Sequence, residues 1–238
     1  DRAALSTVKD ALGLGAATVD VAYTALEAAI DVTDEIKKKL VAAREPGVDR
    51  TKIQTEITEL QKQLRSIADS ASFSGENWLS VDGGPPAYNA TKNVVASFNR
   101  SSAGVNIETM SIDITGTELY DADDQSGIMD KDRTINATTF SVATMDISTL
   151  TDSPGDVETL EDYIVGVDNA LTEMTSSATS LGAIQARIGI QQAFISSLID
   201  SIDRGVGQLV DADMSEESTK LQALQVKQQL GIQALSIA

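Results

Sequence analysis

The carboxylates are the residues most able to do chemistry. Asp121, Asp123, Gln125, Asp130 and Asp132 follow the approximate rhythm of a calcium loop. The rhythm fails at two places: the glycine is Gly127, one position later than an EF-hand needs, and Asp132 stands where a bidentate glutamate belongs. A solvated acidic loop is the better reading. Asp and Glu pairs that could act as glycosidase acid and base abound by composition, and no spacing singles out two of them. The chain has no histidine and no cysteine, so the commonest general base, the commonest zinc ligand, thiolate chemistry and disulfides are all excluded. Gly13-Leu14-Gly15 lacks both the preceding strand and the third glycine of a dinucleotide fingerprint. Asn89-Ala90-Thr91, Asn99-Arg100-Ser101 and Asn136-Ala137-Thr138 fit the N-glycosylation pattern, which chance supplies readily in a chain rich in Ser and Thr. The expectation is a protein with no catalytic residues, no metal site and no cofactor.

Acidic residues outnumber basic ones 36 to 18, and the net charge of −18 repels nucleic acid phosphates and anionic lipid heads. No run of 18 apolar residues could span a membrane. Neither nucleic acid nor a bilayer interior is an expected partner. With 42% apolar but only 4% aromatic residues, the core must be aliphatic, as in coiled coils. The chain begins at Asp1 rather than Met, which reads as a trimmed fragment.

Periodicity supplies the framework. Leu5, Leu12, Val19, Leu26, Thr33 and Leu40 recur every seven residues, and so do Val8, Gly15, Ala22, Ala29, Ile36 and Ala43. One set is mostly large and the other mostly small, which lets helices approach closely. A helix of this length is about 65 Å long, a rod. Residues 45–49 break it with Pro46 and Gly47. A second helix follows with Ile53, Ile57, Leu60, Leu64, Ile67 and Ala71 on one face, antiparallel to the first because the connection is short. Helical character ends across residues 72–79.

Residues 80–155 change style. Asp82-Gly83-Gly84-Pro85-Pro86 is a turn cluster, and β-branched alternating stretches at 93–100, 105–115 and 134–147 predict strands. Helix then returns, capped by Asp156, with a seam through Leu160, Ile164, Val167, Leu171, Met174, Ala178, Leu181, Gln185, Ile188, Gln192, Ile195, Ile199, Ile202, Val206 and Leu209. Asp211-Ala212-Asp213 is expected to interrupt it, with a fresh helix starting at the capping-box spacing from Asp213 to Glu216. The fold class is therefore mainly α with a β-rich insert: an elongated antiparallel helical coiled-coil bundle, both chain ends at one tip, carrying a small outer β domain at the other. The predicted division is 1–79 with 156–238 as rod and 80–155 as insert.

Several stretches resemble bacterial flagellins. Ile53-Gln54-Thr55-Glu56-Ile57 leading to Phe73-Ser74-Gly75-Glu76-Asn77-Trp78-Leu79 is similar to the family's I-Q-x-E-I followed by F-N-G-x-x-L. Leu181-Gly182-Ala183-Ile184-Gln185-Ala186-Arg187 is similar to L-G-A-x-Q-x-R, Leu209 to Glu217 to I-x-D-A-D-x-A-x-E, and Gln228 to Ala238 to Q-Q-A-G-x-x-x-L-x-x-A. The likeness covers about residues 1–79 and 156–238, in the style of soil alphaproteobacteria. It implies a subunit that polymerises into the extracellular flagellar filament for motility, with other subunits, an export chaperone and cap or junction proteins as partners. It also implies that the two chain termini pair in the whole protein. A chain lacking its N-terminal arm should then stay monomeric, with residues 214–238 mobile or packed non-natively.

The scarce cations Lys37 to Lys39, Lys62, Arg65 and Arg187 become candidate contacts with acidic neighbouring subunits; as solvated surface charges they are worth only ~0–1 kcal/mol each. Many flagellins carry L-x-R-x-R-E-L-A, read by the animal Toll-like flagellin receptor. The counterpart here runs through Ile36, Lys37, Lys38, Lys39 and Leu40, with Ile36 in place of an arginine, Lys38 in place of a second and Lys39 in place of glutamate. Lysine lacks the bidentate fork, so weak or absent recognition is expected. Two other readings stay open: a hook-associated junction protein sharing the terminal helices, and an adhesin whose β insert grips a ligand, against which the low aromatic content argues.

Overall fold

The computed structural model describes residues 2–84, 89–101 and 104–237, with side chains described except at 99–101, 104–105, 211–213, 231 and 234–237. Three helices carry it: α1 (Arg2–Ala43), α2 (Arg50–Ser70) and α3 (Pro154–Ile237). All twelve heptad positions of the first segment are buried along α1, joined by Val32. Small residues at Gly15, Ala22, Ala29 and Ala43 alternate with Leu12, Leu26 and Leu40, so the partner backbones can close in while the leucines fill the seam.

Helices α1 and α3 are antiparallel. Arg2 pairs with Asp203 at 2.6 Å, Gln185 donates to Asp20 at 2.8 Å, Lys37 pairs with Asp168 at 2.5 Å, and Arg44 pairs with Glu161. Helix α2 folds back beside α1 after a turn in which Gly47 adopts φ +80, a conformation a side chain would strain. Arg50 fastens this turn: its buried guanidinium donates to the carbonyl of Ala43, satisfying the end of α1, and to the carbonyl of Leu150 and the carboxylate of Asp152. Asp49 caps α2 by accepting from the Lys52 amide.

Two details of α3 differ from the sequence reading. The cap is Ser153, whose hydroxyl accepts from the Asp156 amide, with Pro154 at the first helical position; Asp156 instead accepts from the Thr151 amide. The expected interruption at 211–213 is absent: α3 runs on through it for 84 residues, about 126 Å. A capping-box spacing inside a good helix sequence does not start a new helix when no residue in between breaks the old one.

Between α2 and α3 lie β1 (Ser72–Phe73), β2 (Glu76–Asn77), β3 (Ser80–Val81), β4 (Thr91–Ser101), β5 (Gly104–Asp113), β6 (Tyr120–Asp121), β7 (Arg133–Ile135) and β8 (Thr138–Phe140). They pair as β1 with β2, β3 with β6 in parallel, β4 with β5, and β7 with β8. The stretches at 93–100 and 105–115 form the long β4–β5 hairpin as expected. The third, 134–147, yields only the short β7–β8 hairpin; beyond it the chain lies along α2, where Gln54 accepts from the Ile147 amide and Gln61 donates to the Val142 carbonyl.

The insert also sits differently from the expected far tip. It lies along the rod. Met110, Ile112, Ile114, Leu119, Met129, Phe140, Val142, Met145 and Ile147 are buried in one core with the helical seam. Gln191 of α3 donates to the Ala96 carbonyl in β4, which places that hairpin toward the end where α1 begins. Gly15 makes room for it: a Cβ there would lie 2.5 Å from a Val94 methyl. Gly15→Val is expected to destabilise the chain by about 1–3 kcal/mol by overpacking. Hydrogen exchange should quicken in β4 and β5 while α2 stays protected, and uniform quickening across the rod would contradict this.

Candidate assembly surfaces

The segment from Ile36 to Leu40 splits in two. Ile36 and Leu40 are fully buried seam residues within the chain. The three lysines point outward but are matched within the chain. Lys37 pairs with Asp168 of α3, Lys38 with Asp34 at 2.9 Å, and Lys39 with Glu56 of α2 at 2.6 Å. Hydrogen bonding to Asp34 raises Lys38 above the ordinary lysine range, and Glu56 does the same for Lys39. Lys62 pairs with Glu59 at 2.8 Å; Arg65 pairs with Asp69 at 3.1 Å and lies over the Tyr120 ring. Arg187 is exposed on α3 and has no ion pair among the described residues.

The acidic loop is built by its own backbone. Asp121 accepts from the Gly83 and Asp123 amides, each at 2.9 Å, and Asp130 accepts from the Asp121 amide. These carboxylates act as turn formers, and among the described residues no cluster of acidic groups is arranged to hold a metal. Burial raises Asp121, and the amide hydrogen bonds outweigh it, holding the group below the usual carboxylate range. Glu118, beside this loop and 5% exposed, has an Oε1 atom with no partner. Burial, then the charges of Asp121 and Asp124, push its carboxyl up to about 7. Of the glycosylation-like sites, Asn89 accepts from the Thr91 amide, Asn136 donates to the buried Asp162 at 2.6 Å, and the side chain of Asn99 lies outside the described residues.

Apolar surface is concentrated on α3. The seam is closed at Leu160, Val167, Met174, Leu181, Ile188 and Ile195, and opens from Val206 on, because α1 begins at the level of Asp203. Past that point α3 continues for about 50 Å, exposing Leu209, Met214, Leu221, Leu224 and Leu230. A second exposed stripe lies where α1 already covers the other face: Ile190 at 72%, Phe194 at 56% and Leu198 at 36%. Sequence reasoning missed this stripe. Its signal was available, since spacing of four places these residues together and off the seam. Elsewhere on the rod a groove between α1 and α2 is lined by Val21, Ala25, Ala28 and Ile67, with Asp20 at its rim.

The comparisons with known proteins agree with this architecture. The chain matches the bacterial flagellin N-terminal helical region over residues 1–82 and the bacterial flagellin C-terminal helical region over residues 164–238. Flagellin C of Rhizobium meliloti (strain 1021) is 49% identical over 255 residues, spanning all of this chain and 79% of that protein. Flagellin A of the same strain is 41% identical, with 83% of its length covered. A flagellin of Brucella melitensis is 40% identical, with 76% covered. The crystal structure of Bacillus cereus flagellin has the same fold at 15% identity, with a TM-score of 0.50 over 79% of this chain and 88% of that one. A long antiparallel seam built from the two ends of the chain, and relatives of this closeness along its whole length, place the chain in the bacterial flagellin family, the structural subunits of the flagellar filament.

Proposed function

We propose that the chain polymerises with copies of itself into the extracellular filament that drives motility. Residues 1–79 and 156–238 serve as the rod, and 80–155 as the part turned to the outside. The observation that carries this reading is the continuous α3, closed against α1 over half its length and apolar but uncovered over the rest. A helix of that kind buries its open stripe against other subunits. The same stripe suits an export chaperone before assembly, and the rod ends suit cap and junction proteins. Negative-stain microscopy of the whole protein tests the reading: long filaments are expected, whereas short caps would favour a junction protein and absence of any polymer an adhesin.

The reading extends to the animal receptor, for which weak or absent recognition is proposed. Ile36 is buried where the family's pattern has an arginine, and Lys38 and Lys39 are engaged by Asp34 and Glu56. A cell reporter exposed to the whole protein should stay near background at doses where a flagellin carrying the arginine-rich pattern saturates it; a full response would refute this.

A further inference from the structure

Two surfaces of the rod remain unexplained by its own folding: the Ile190–Phe194–Leu198 stripe and the groove between α1 and α2. The geometry points to the two as halves of one contact: the stripe of one subunit seats in the groove of a neighbouring copy. The inference rests on the filament reading and adds to it which faces meet.

Size and charge carry the argument. From Ile190 to Leu198 the stripe spans about 12 Å, and from Val21 to Ala28 the groove floor spans about 10.5 Å, at 1.5 Å per residue. The stripe projects large side chains, while the floor holds Ala25 and Ala28, flanked by Val21 and Ile67 and wide enough for a cavity of about 440 Å³. Large apolar side chains entering a slot floored by small residues is how helices pack.

Direction fixes the charges. When all subunits point the same way, the incoming α3 runs antiparallel to the host α1. Arg187, about 10 Å from Phe194 along its helix, then lies toward the later part of α1. There the same groove continues between Glu35, Glu56 and Glu59. Lys38, Lys39 and Lys62 occupy part of that acidic rim, and with Asp34 counted beside Lys38 the four carboxylates against three lysines leave a negative excess. Arg187, without an ion pair of its own among the described residues, supplies the matching cation in a chain of net charge −18. Because stripe and groove are different faces of one molecule, each subunit offers one half on each side. The contact does not close on itself, and it propagates.

The absence of cysteine from the chain makes a direct test simple. Filaments of the whole protein carrying Phe194→Cys and Ala25→Cys are oxidised and run without reductant. A ladder of linked subunits is expected. The pairing of Phe194→Cys with Val41→Cys should give none, since position 41 lies about 24 Å along α1 from position 25. Filaments without a ladder from the first pair, or equal ladders from both, overturn the contact and leave the filament reading standing. Failure of the unsubstituted protein to form filaments overturns both. Should Phe194→Cys prevent assembly, Ala25→Cys alone decides: its thiol should react with a maleimide at least tenfold more slowly in filaments than in monomers, and equal rates would overturn the contact.

Discussion

Leu26→Ala lowers folding stability by about 3 kcal/mol, whereas Leu209→Ala changes it by less than about 0.5 kcal/mol. Both leucines belong to the same kind of heptad position, one on α1 and one on α3. Leu26 is fully buried in the closed part of the seam, and Leu209 is 72% exposed beyond it. Removing three carbons from a packed site loses their transfer free energy and leaves a void that neighbours such as Ala22 and Ala29 are too short to fill. Removing them from an open helix face leaves nothing behind. Chemical denaturation of the isolated chain measures both. Equal costs at the two positions would mean that the far part of α3 is covered in solution, by self-association or by folding back. The same Leu209→Ala change should then become costly in the filament, where the open stripe meets other subunits, and a fall in filament melting temperature would register it.

The contrast also shows what the sequence could reveal. The seam was legible because a heptad is local: each position is fixed by its neighbours seven residues away, and all twelve heptad positions of α1 are buried. Ile36 and Leu40 belong to that period, so their burial followed from the sequence, although the motif comparison drew them into a surface role. The position of the insert was not legible. Its docking turns on isolated features: Gly15 opening a place for Val94, Gly166 opening one for the Phe140 ring, and Gln54 and Gln61 pairing with the backbone of 142–147. None has a period, and each acquires meaning only when a residue about 25 to 95 positions away arrives beside it. The pairing of the lysines was half legible. Lys38 with Asp34 is a spacing along one helix, but Lys39 with Glu56 and Lys37 with Asp168 join different helices. The exposed stripe at Ile190 to Leu198 was legible, since a spacing of four puts its three large residues on one helix face off the seam.

Glu118→Gln stabilises the chain at pH 8 by about 2 kcal/mol, and the gain disappears toward pH 4.5. Glu118 is 5% exposed and its Oε1 atom has no partner. Burial, then Asp121 and Asp124, push its carboxyl up to about 7, against 4.5 for an ordinary glutamate. The folded state therefore holds a proton that the unfolded chain releases at lower pH. Below about pH 4.5 both states are protonated and the group contributes no difference. As pH rises from there to about 7 the unfolded chain ionises first, and stability falls with each step. Above about pH 7 the cost is complete, because the folded chain then carries a buried carboxylate facing Asp121 and Asp124. Glutamine keeps the shape of the protonated acid and never takes the charge, so it removes the cost only where the cost exists. Urea denaturation at pH 8, 6.5 and 5 measures the difference. A gain that shrinks through this series is expected, and a gain independent of pH would assign the effect to packing instead. Asp121 behaves in the opposite sense. Its amide hydrogen bonds hold it below the ordinary range in the folded chain, so its contribution is present at neutral pH and is lost only as pH falls below the usual carboxylate range. The two acids, three residues apart, thus set opposing slopes on one loop, and burial raises the neighbouring Asp130 in the same sense as Glu118.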